Sequence, residues 1–118
     1  MSLYRAKKDL IKGHCEIWEW AAGETAYVCS VNAPNQQIAE HRYEKAVDDI
    51  SGCLGSSWAG EESERVRDGS PAGVVTRFRN SDQTGLVISI HNVAIAGGKG
   101  SARSNYLFIG GVGKANEL

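Results

Sequence analysis

The chain has 118 residues, a formal net charge of −1 and 42% hydrophobic residues, so it is long enough to bury the core of one domain. This composition, with only two prolines, excludes a disordered tail. The longest nearly apolar run, from Ile90 to Gly98, is far shorter than the roughly 20 residues that a membrane-spanning helix needs. We therefore expect a single domain over residues 1–118 and no membrane span.

Signals for cellular location are few. No apolar block follows the basic residues near the N-terminus, so we expect no signal peptide, although a mature secreted protein would already have lost one. Three cysteines without C-x-x-C spacing are typical of thiols in a reducing compartment rather than of a disulfide framework. We therefore predict a cytoplasmic protein with reduced cysteines.

The N-terminal third predicts a short helix followed by a β-hairpin. Apolar residues recur at helical spacing from Leu3 to Ile11, which predicts a short amphipathic helix. Residues 14–20 and 24–31 are rich in β-branched and aromatic residues, which predicts two strands. Ala21-Ala22-Gly23 between them suits a three-residue turn with its glycine in the left-handed conformation.

The register set by this turn leads to two further predictions. It places Cys15 opposite Cys29, the only cysteine pair that we expect to lie close together. It also places Trp18 and Trp20 on the face that a packed helix would not need. We therefore predict these two tryptophans as a subunit interface.

The strongest signal in the sequence is an amphipathic helix from about Asn35 to Leu54. Asn32 or Asn35 can cap its first turn, and Gly55 suits its end. Its apolar stripe consists of Ile38, Ala39, Tyr43, Ala46, Val47, Ile50, Cys53 and Leu54. We expect the strands to cover this stripe.

The second half of the chain predicts a polar connection and three strands. The connection runs from Gly55 to Gly73, with Trp58 pinned to the core and either a short edge strand or a turn at Glu62 to Val66. Strands follow at 73–80, 86–96 and 105–112, and the second changes its apolar face near His91 and Asn92, which predicts a bulge there. The predicted fold is α+β, with about five mostly antiparallel strands, one long helix on one face and a short N-terminal helix, in the order α-β-β-α-β-β-β.

One candidate ligand site combines aromatic and ionisable side chains from the helix and the strands. Tyr43, Arg77, His91 and Tyr106 would line a pocket between the helix and the curved strands. Ser89 on the face of His91 would make a nucleophile and base if an acid, Asp82 or Glu62, approached them. No histidine spacing matches a metal site, so we predict neither metal nor cofactor, and catalysis is the less favoured interpretation.

A second candidate site is basic. Residues 65–105 hold six basic against two acidic side chains. Arg77, Arg79, Lys99 and Arg103 would form an anion-binding surface, with Lys99 in the glycine-rich segment 97–104. That segment lacks the spacing of a phosphate loop and is read as a hairpin loop. We expect no nucleic-acid binding, because a solvated strand face explains these charges.

The size of the chain and its closing segment, Lys114-Ala115-Asn116-Glu117-Leu118, resemble the orphan products of bacterial integron gene cassettes. The resemblance implies a compact, single-domain, often oligomeric protein without an assigned activity, and it implies no functional residue. We predict a non-enzymatic binding or adaptor domain that self-associates through its sheet surface. The alternatives are a small-molecule-binding protein or hydrolase-like enzyme with a pocket between helix and sheet, and a protein that binds anions or nucleic acid through the basic strand face.

Overall fold

The computed structural model describes residues 1–11, 13–81, 85–94 and 103–111. Within these ranges the chain forms a seven-stranded antiparallel sheet and a single helix, α1, with strands in the spatial order β1-β2-β3-β7-β6-β5-β4. The elements are β1 (Ser2–Arg5), β2 (His14–Glu19), β3 (Thr25–Ala33), α1 (Gln36–Leu54), β4 (Trp58–Arg67), β5 (Ser70–Asn80), β6 (Leu86–Ala94) and β7 (Arg103–Gly111). The fold is mostly β, so the predicted α+β arrangement of about five strands and two helices is wrong.

The N-terminal segment is an edge strand rather than the predicted helix. β1 pairs antiparallel with β2, and the N–H of Ala6 donates to the carbonyl of Cys15 at 2.9 Å. The apolar residues of this segment do not mark one face of a helix. Ala6 is buried and Ile11 is half-buried, because the connection that follows β1 folds over the sheet. Short segments of this kind carry too little periodicity to separate a helix from a strand.

The hairpin formed by β2 and β3 confirms its predicted register. Gly23 has a φ of 88°, and the N–H of Trp20 donates to the carbonyl of Glu24 at 2.9 Å. Cys15 lies opposite Cys29, as expected, but the two form a disulfide rather than two reduced thiols. The expectation of reduced neighbours therefore fails for this pair.

The central helix matches its prediction within one residue. The Oδ1 atom of Asn35 accepts a hydrogen bond from the N–H of Ile38 at 2.9 Å, and Gly55 caps the other end with a φ of 79°. The buried stripe is narrower than predicted, because Ile38 and Cys53 are exposed. It consists of Ala39, Tyr43, Ala46 and Ile50.

A second hairpin replaces most of the predicted polar connection. β4 and β5 are joined by Asp68 and Gly69, whose φ values of 51° and 80° match a two-residue turn with left-handed central residues. Trp58 packs against the core, as predicted. The register shift of the sheet lies in β4, between Arg65 and Val66, whereas β6 pairs without interruption. The predicted bulge in β6 is therefore wrong.

The two faces of the sheet differ in what they pack against. The helix face meets α1 mainly through β3, β6 and β7. Side chains alternate along each strand, so their neighbours in sequence form the far face of the sheet. The centre of the far face is also buried, with Val28 at 4%, Val87 at 1% and Phe108 at 1% exposure. It is therefore not the freely exposed surface that the sequence led us to expect.

Candidate functional site

A groove of about 570 Å³ lies between α1 and the connection from β1 to β2. We call it the helix groove. Its apolar lining comes from the connection, from β3 and β6, and from the helix: Leu10, Ile11, Val31, Ala46 and Ile90. Its polar lining is Asp9, His41, Arg42, Tyr43, Lys45, Asp49 and Asn105, and Tyr106 also borders it.

The outer wall of the groove is held in place by hydrogen bonds from the sheet. The hydroxyl of Tyr27 donates to the carbonyl of Lys8 at 2.6 Å and accepts from the N–H of Leu10 at 2.9 Å. The guanidinium of Arg5 donates to Asp9 at 2.9 Å and to the carbonyl of Cys15 at 2.8 Å. These bonds anchor the wall at several points, so the groove is preformed.

Some charged side chains at the rim of the groove have an ion-pair partner, and one, among the described residues, does not. Asp9 is paired with Arg5, and Lys45 with Asp49, both at 2.9 Å. The guanidinium of Arg42 donates to the carbonyl of Asn32 at 3.1 Å and makes no ion pair within the described ranges. Arg42 therefore leaves an uncompensated positive charge and further N–H donors at the rim.

One residue of the groove lining, Asn105, is a buried amide with an unpaired oxygen atom. The Nδ2 group of Asn105 donates to the carbonyl of Ala39 at 3.2 Å, which fixes the orientation of the amide. Its Oδ1 atom has no hydrogen-bond partner, and the residue is only 3% exposed. An unpaired buried acceptor costs about 1–3 kcal/mol, so a ligand that donates to it gains this energy back.

A second, smaller cavity of about 290 Å³ lies on the other flank of α1. We call it the side cavity. Its lining is Gln36, Glu40, Tyr43, Glu44, Glu62, Gly73, Val74, Asn92 and Arg103. Asn92 is the cross-strand neighbour of Asn105, and its Oδ1 atom is likewise buried without a partner.

Tyr43 separates the two cavities. Its hydroxyl donates to a carboxylate oxygen of Glu62 at 2.9 Å and is also hydrogen-bonded to Thr76. Because its single proton goes to Glu62, the Thr76 hydroxyl is the donor in the second bond. Burial, reinforced by the Glu62 carboxylate, raises the pKa of Tyr43 to about 12. Tyr43 therefore stays neutral and serves as a fixed donor.

The four residues of the predicted ligand site divide between the two faces of the sheet. Tyr43 contacts the helix face, whereas strand alternation puts the side chains of Arg77, His91 and Tyr106 on the far face. The rings of His91 and Tyr106 form an edge-to-face pair with centroids 6.5 Å apart. The structure thus brings the side chains of three of the four together on the far face, and of these three only Tyr106 also borders the helix groove.

Ser89 and His91 meet as expected, but without the proposed acid. The Nε2 atom of His91 lies 2.8 Å from the Oγ atom of Ser89. Glu62 lies on the helix face, across the sheet, and residue 82 is outside the described ranges. Burial, together with the charges of Arg65 and Arg77, lowers the pKa of His91 to about 3. The neutral ring therefore lacks the basicity expected of a general base near neutral pH.

The predicted anion-binding set is likewise divided. Arg77 and Arg79 alternate onto the far face, and Arg77 donates to the hydroxyl of Ser63 at 3.3 Å. Arg103 lies on the helix face, where its guanidinium donates to Gln36 at 3.5 Å. Lys99 is outside the described ranges. The three described arginines therefore do not form one surface.

The predicted interface tryptophans lie together on the far face. Trp18 and Trp20 form an edge-to-face pair with centroids 6.1 Å apart. Both are half-buried against a small apolar cluster on the sheet. Its buried members are Ala26, Val28, Val87 and Phe108. The tryptophans thus cover part of the far face as well as presenting an edge to solvent.

Three polar residues that line the two cavities were not among the predicted site residues. Arg42 lies outside the apolar stripe of the helix, and neither Asn92 nor Asn105 belongs to any motif. One signal was available, since each asparagine shares its alternating face with apolar residues, Ile88 and Ile90 in β6 and Leu107 and Ile109 in β7, and buried polar residues are unusual enough to be informative.

A membrane-spanning helix and a metal-binding cluster are both absent from the described ranges. No helix there is both long and apolar enough to cross a membrane. Nor do three or more His, Cys, Asp or Glu side chains gather there into a possible metal site.

Comparisons with known proteins give no family for the chain. No protein-family model matches it, and neither the curated proteins nor the solved structures give a match. The resemblance to integron cassette products stays a prediction, because its residues, 114–118, lie outside the described ranges. A function must therefore be argued from the cavities themselves.

Proposed function

We propose that this chain is a small-molecule-binding protein whose ligand lies in the helix groove. The observation that carries the proposal is the groove itself. At about 570 Å³ it falls within the range of known ligand pockets, which is roughly 300–1,000 Å³. Its lining combines five apolar residues, which suit the body of a ligand, with polar and charged residues that can orient it.

The lining favours a particular class of ligand. Val31, Ala46 and Ile90 favour an apolar body. The uncompensated Arg42 favours an anionic group at the rim, and the unpaired Oδ1 atom of Asn105 favours an N–H or O–H donor on the ligand. The ligand class is therefore a small amphiphilic anion that carries a hydrogen-bond donor.

Anilinonaphthalene sulfonate is a suitable probe, because it combines an apolar ring system, a sulfonate and an N–H group. Titration followed by fluorescence is expected to show saturable binding with a blue-shifted emission. Leu10→Ser removes apolar lining and should weaken binding about tenfold. Leu86→Ser is the matched control, because Leu86 is similarly exposed, 40% against 46% for Leu10, and does not line the groove.

Two outcomes would contradict the proposal. One is an unsaturable fluorescence signal of the kind given by loosely packed protein. The other is an equal loss of binding in Leu10→Ser and Leu86→Ser, since that would place the dye elsewhere on the molecule.

Self-association is a second candidate function, favoured by the β1 edge of the sheet. Leu3 and Tyr4 are 52% and 54% exposed there, whereas five of the ten residues of β4, the opposite edge, are charged. Because Ala6 donates to β2, alternation directs the backbone groups of Leu3 and Arg5 outward. A second copy paired antiparallel about Tyr4 would satisfy them reciprocally, and the adjacent Trp18 would extend the contact.

Light scattering coupled to size-exclusion chromatography tests this second candidate. Leu3→Pro removes an outward N–H but no bond to β2, so it should convert a dimer to a folded monomer. Val66→Lys, at an exposed position of the charged edge, should leave the dimer intact. A wild-type monomer at high concentration, or a dimer that tolerates Leu3→Pro, would remove the claim.

The disulfide bears on where such a protein would act. The sequence predicted a cytoplasmic location and left a mature secreted form open. The bond between Cys15 and Cys29 favours the second, because disulfides persist mainly in oxidising compartments. Thiol titration of denatured, unreduced protein should detect Cys53 alone, and three reactive thiols would restore the cytoplasmic prediction.

A further inference from the structure

We propose that the side cavity is a separate binding site for a protonated amine. Three carboxylates, those of Glu40, Glu44 and Glu62, line this cavity beside the amide of Asn92. This site goes beyond the function proposed for the helix groove, and it selects a ligand of the opposite charge.

The lining of the side cavity is negatively charged overall. Its three glutamates face one basic residue, Arg103. The guanidinium of Arg103 donates to Gln36 at 3.5 Å, and no ion pair joins it to a glutamate in the part of the chain that the structure describes. Glu44 accepts no hydrogen bond there from a side chain or backbone group. The cavity therefore offers carboxylate oxygens that a cation can use.

A second observation, independent of these charges, points to a donor ligand. The Oδ1 atom of Asn92 is buried without a partner, and the residue is 7% exposed. Asn92 shares the helix face of β6 with Ile90 and lines the side cavity. An ammonium group has three N–H donors, enough to reach this amide oxygen and two carboxylates at once.

Tyr43 positions one of the carboxylates. Its hydroxyl donates to one oxygen of Glu62 at 2.9 Å, which fixes that side chain and leaves its second oxygen available. Glu40 is held in a similar way, since it accepts from the Nε2 group of Gln36 at 2.9 Å. Both carboxylates are thus partly preorganised, and preorganisation lowers the cost of binding.

An organic amine fits the cavity better than a metal ion. Nowhere in the described ranges do three acidic or histidine side chains approach closely enough to share one ion. The carboxylates instead surround a space of about 290 Å³, and Val74 adds an apolar wall. A short alkyl chain with a terminal ammonium group matches both features.

Protein NMR with n-butylammonium as the probe tests the site. Titration should give saturable shifts of the Val74 backbone amide and of the Asn92 side-chain amide. Neutral n-butanol and anionic butyrate are the matched ligands, and both should bind at least about tenfold more weakly, because they forgo the charged hydrogen bonds.

Two variants locate the binding. Glu44→Gln keeps the shape of an exposed side chain but removes its charge, so it should weaken binding about tenfold. Asp48→Asn, one helical turn further along and outside the lining, should leave the affinity unchanged. Asn92→Leu should also weaken binding while the protein remains folded, as judged by its dispersed spectrum.

Three results would overturn the proposal. They are the absence of saturable shifts at these residues, equal shifts with n-butanol, and equal effects of Glu44→Gln and Asp48→Asn. The first would mean that the cavity binds no amine, the second that it selects apolar chains, and the third that only the general charge of the helix matters.

Discussion

The two cavities that flank α1 share a wall but differ in charge. Asn92 and Asn105 are cross-strand neighbours under the helix, and each lines one cavity and has a buried, unpaired Oδ1 atom. The helix groove has the uncompensated Arg42 at its rim, whereas the side cavity is lined by glutamates at four-residue spacing on α1, Glu40 and Glu44. The flanks of one amphipathic helix therefore give two neighbouring cavities opposite ligand preferences.

The largest expected effect is a pH dependence of the free energy of unfolding that arises on the far face of the sheet. It tests whether that face acts independently of the two cavities. The pKa of His91 falls from its ordinary 6.5 to about 3 in the folded protein because of burial and the nearby Arg65 and Arg77. Between these two values the unfolded chain binds a proton that the folded chain does not. The free energy of unfolding should therefore fall as the pH is lowered through this window, by about 1.4 kcal/mol for each pH unit.

Urea denaturation across this pH window measures the effect, with His91→Gln as the variant. In this variant the free energy of unfolding should depend less steeply on pH, by about 1.4 kcal/mol for each pH unit, because residue 91 no longer binds a proton in the unfolded chain. It should bind the naphthalene sulfonate and butylammonium probes as the wild type does, since His91 lies across the sheet from both cavities. An unchanged slope, or an altered affinity for either probe, would contradict the separation of the faces.

The disulfide should stabilise the part of the molecule around the helix groove more than the β4–β5 hairpin. It links residues 14 apart in sequence, and a loop of that size is worth about 3 kcal/mol. Replacing Cys15 and Cys29 together by alanine should lower the free energy of unfolding by roughly that amount. Cys53→Ser, at an exposed position, should change it by less than about 0.5 kcal/mol.

Hydrogen exchange tells which cavity the disulfide supports. Amides in the connection from β1 to β2 should exchange faster in the alanine variant, because its anchors Cys15 and Tyr27 belong to the linked strands. Amides of the β4–β5 hairpin should be affected less. Equal acceleration in both regions would mean that the disulfide stabilises the whole sheet alike.

Two tyrosine variants test the two cavities separately, Tyr43→Phe for the side cavity and Tyr27→Phe for the helix groove. Tyr43→Phe removes the donor to Glu62 and leaves the buried Thr76 hydroxyl without this partner, at a cost of about 1–2 kcal/mol. Tyr27→Phe removes the anchor of the groove wall and should cost less, because its bonds are exposed. Calorimetric titration should show weaker sulfonate binding but unchanged amine binding in Tyr27→Phe. Because Tyr43 lines both cavities but holds Glu62 of the side cavity, Tyr43→Phe should weaken amine binding more than sulfonate binding.

Local signals predicted part of the fold correctly. The hairpin of β2 and β3 follows from a three-residue turn that ends in Gly23, and α1 follows from its apolar stripe and the Asn35 cap. Only the part of β4 from Glu62 to Val66 was predicted, as a short edge strand or a turn. The residues of β4 are mostly polar on both sides, so an edge strand of this kind shows no alternation. Asp68-Gly69 was the signal available for its turn, since this dipeptide favours two-residue hairpins.

The candidate site was harder to predict, because it depends on which face each residue occupies. Arg77, His91 and Tyr106 have the chemistry of ligand-binding residues, yet strand alternation turns them away from the helix. Asn92 and Asn105 gain their importance from burial and from unpaired oxygen atoms, and neither property follows from sequence spacing. Burial and missing hydrogen-bond partners can be seen only once the sheet and the helix are packed together.

The most direct test of the account is calorimetric titration of the naphthalene sulfonate into the Asn105→Leu and Asn92→Leu proteins. The account predicts about a tenfold loss of affinity in Asn105→Leu, because the donor of the probe loses its acceptor, and no change in Asn92→Leu. Wild-type affinity in Asn105→Leu, or an equal loss in both variants, would contradict the claim that the helix groove is the binding site.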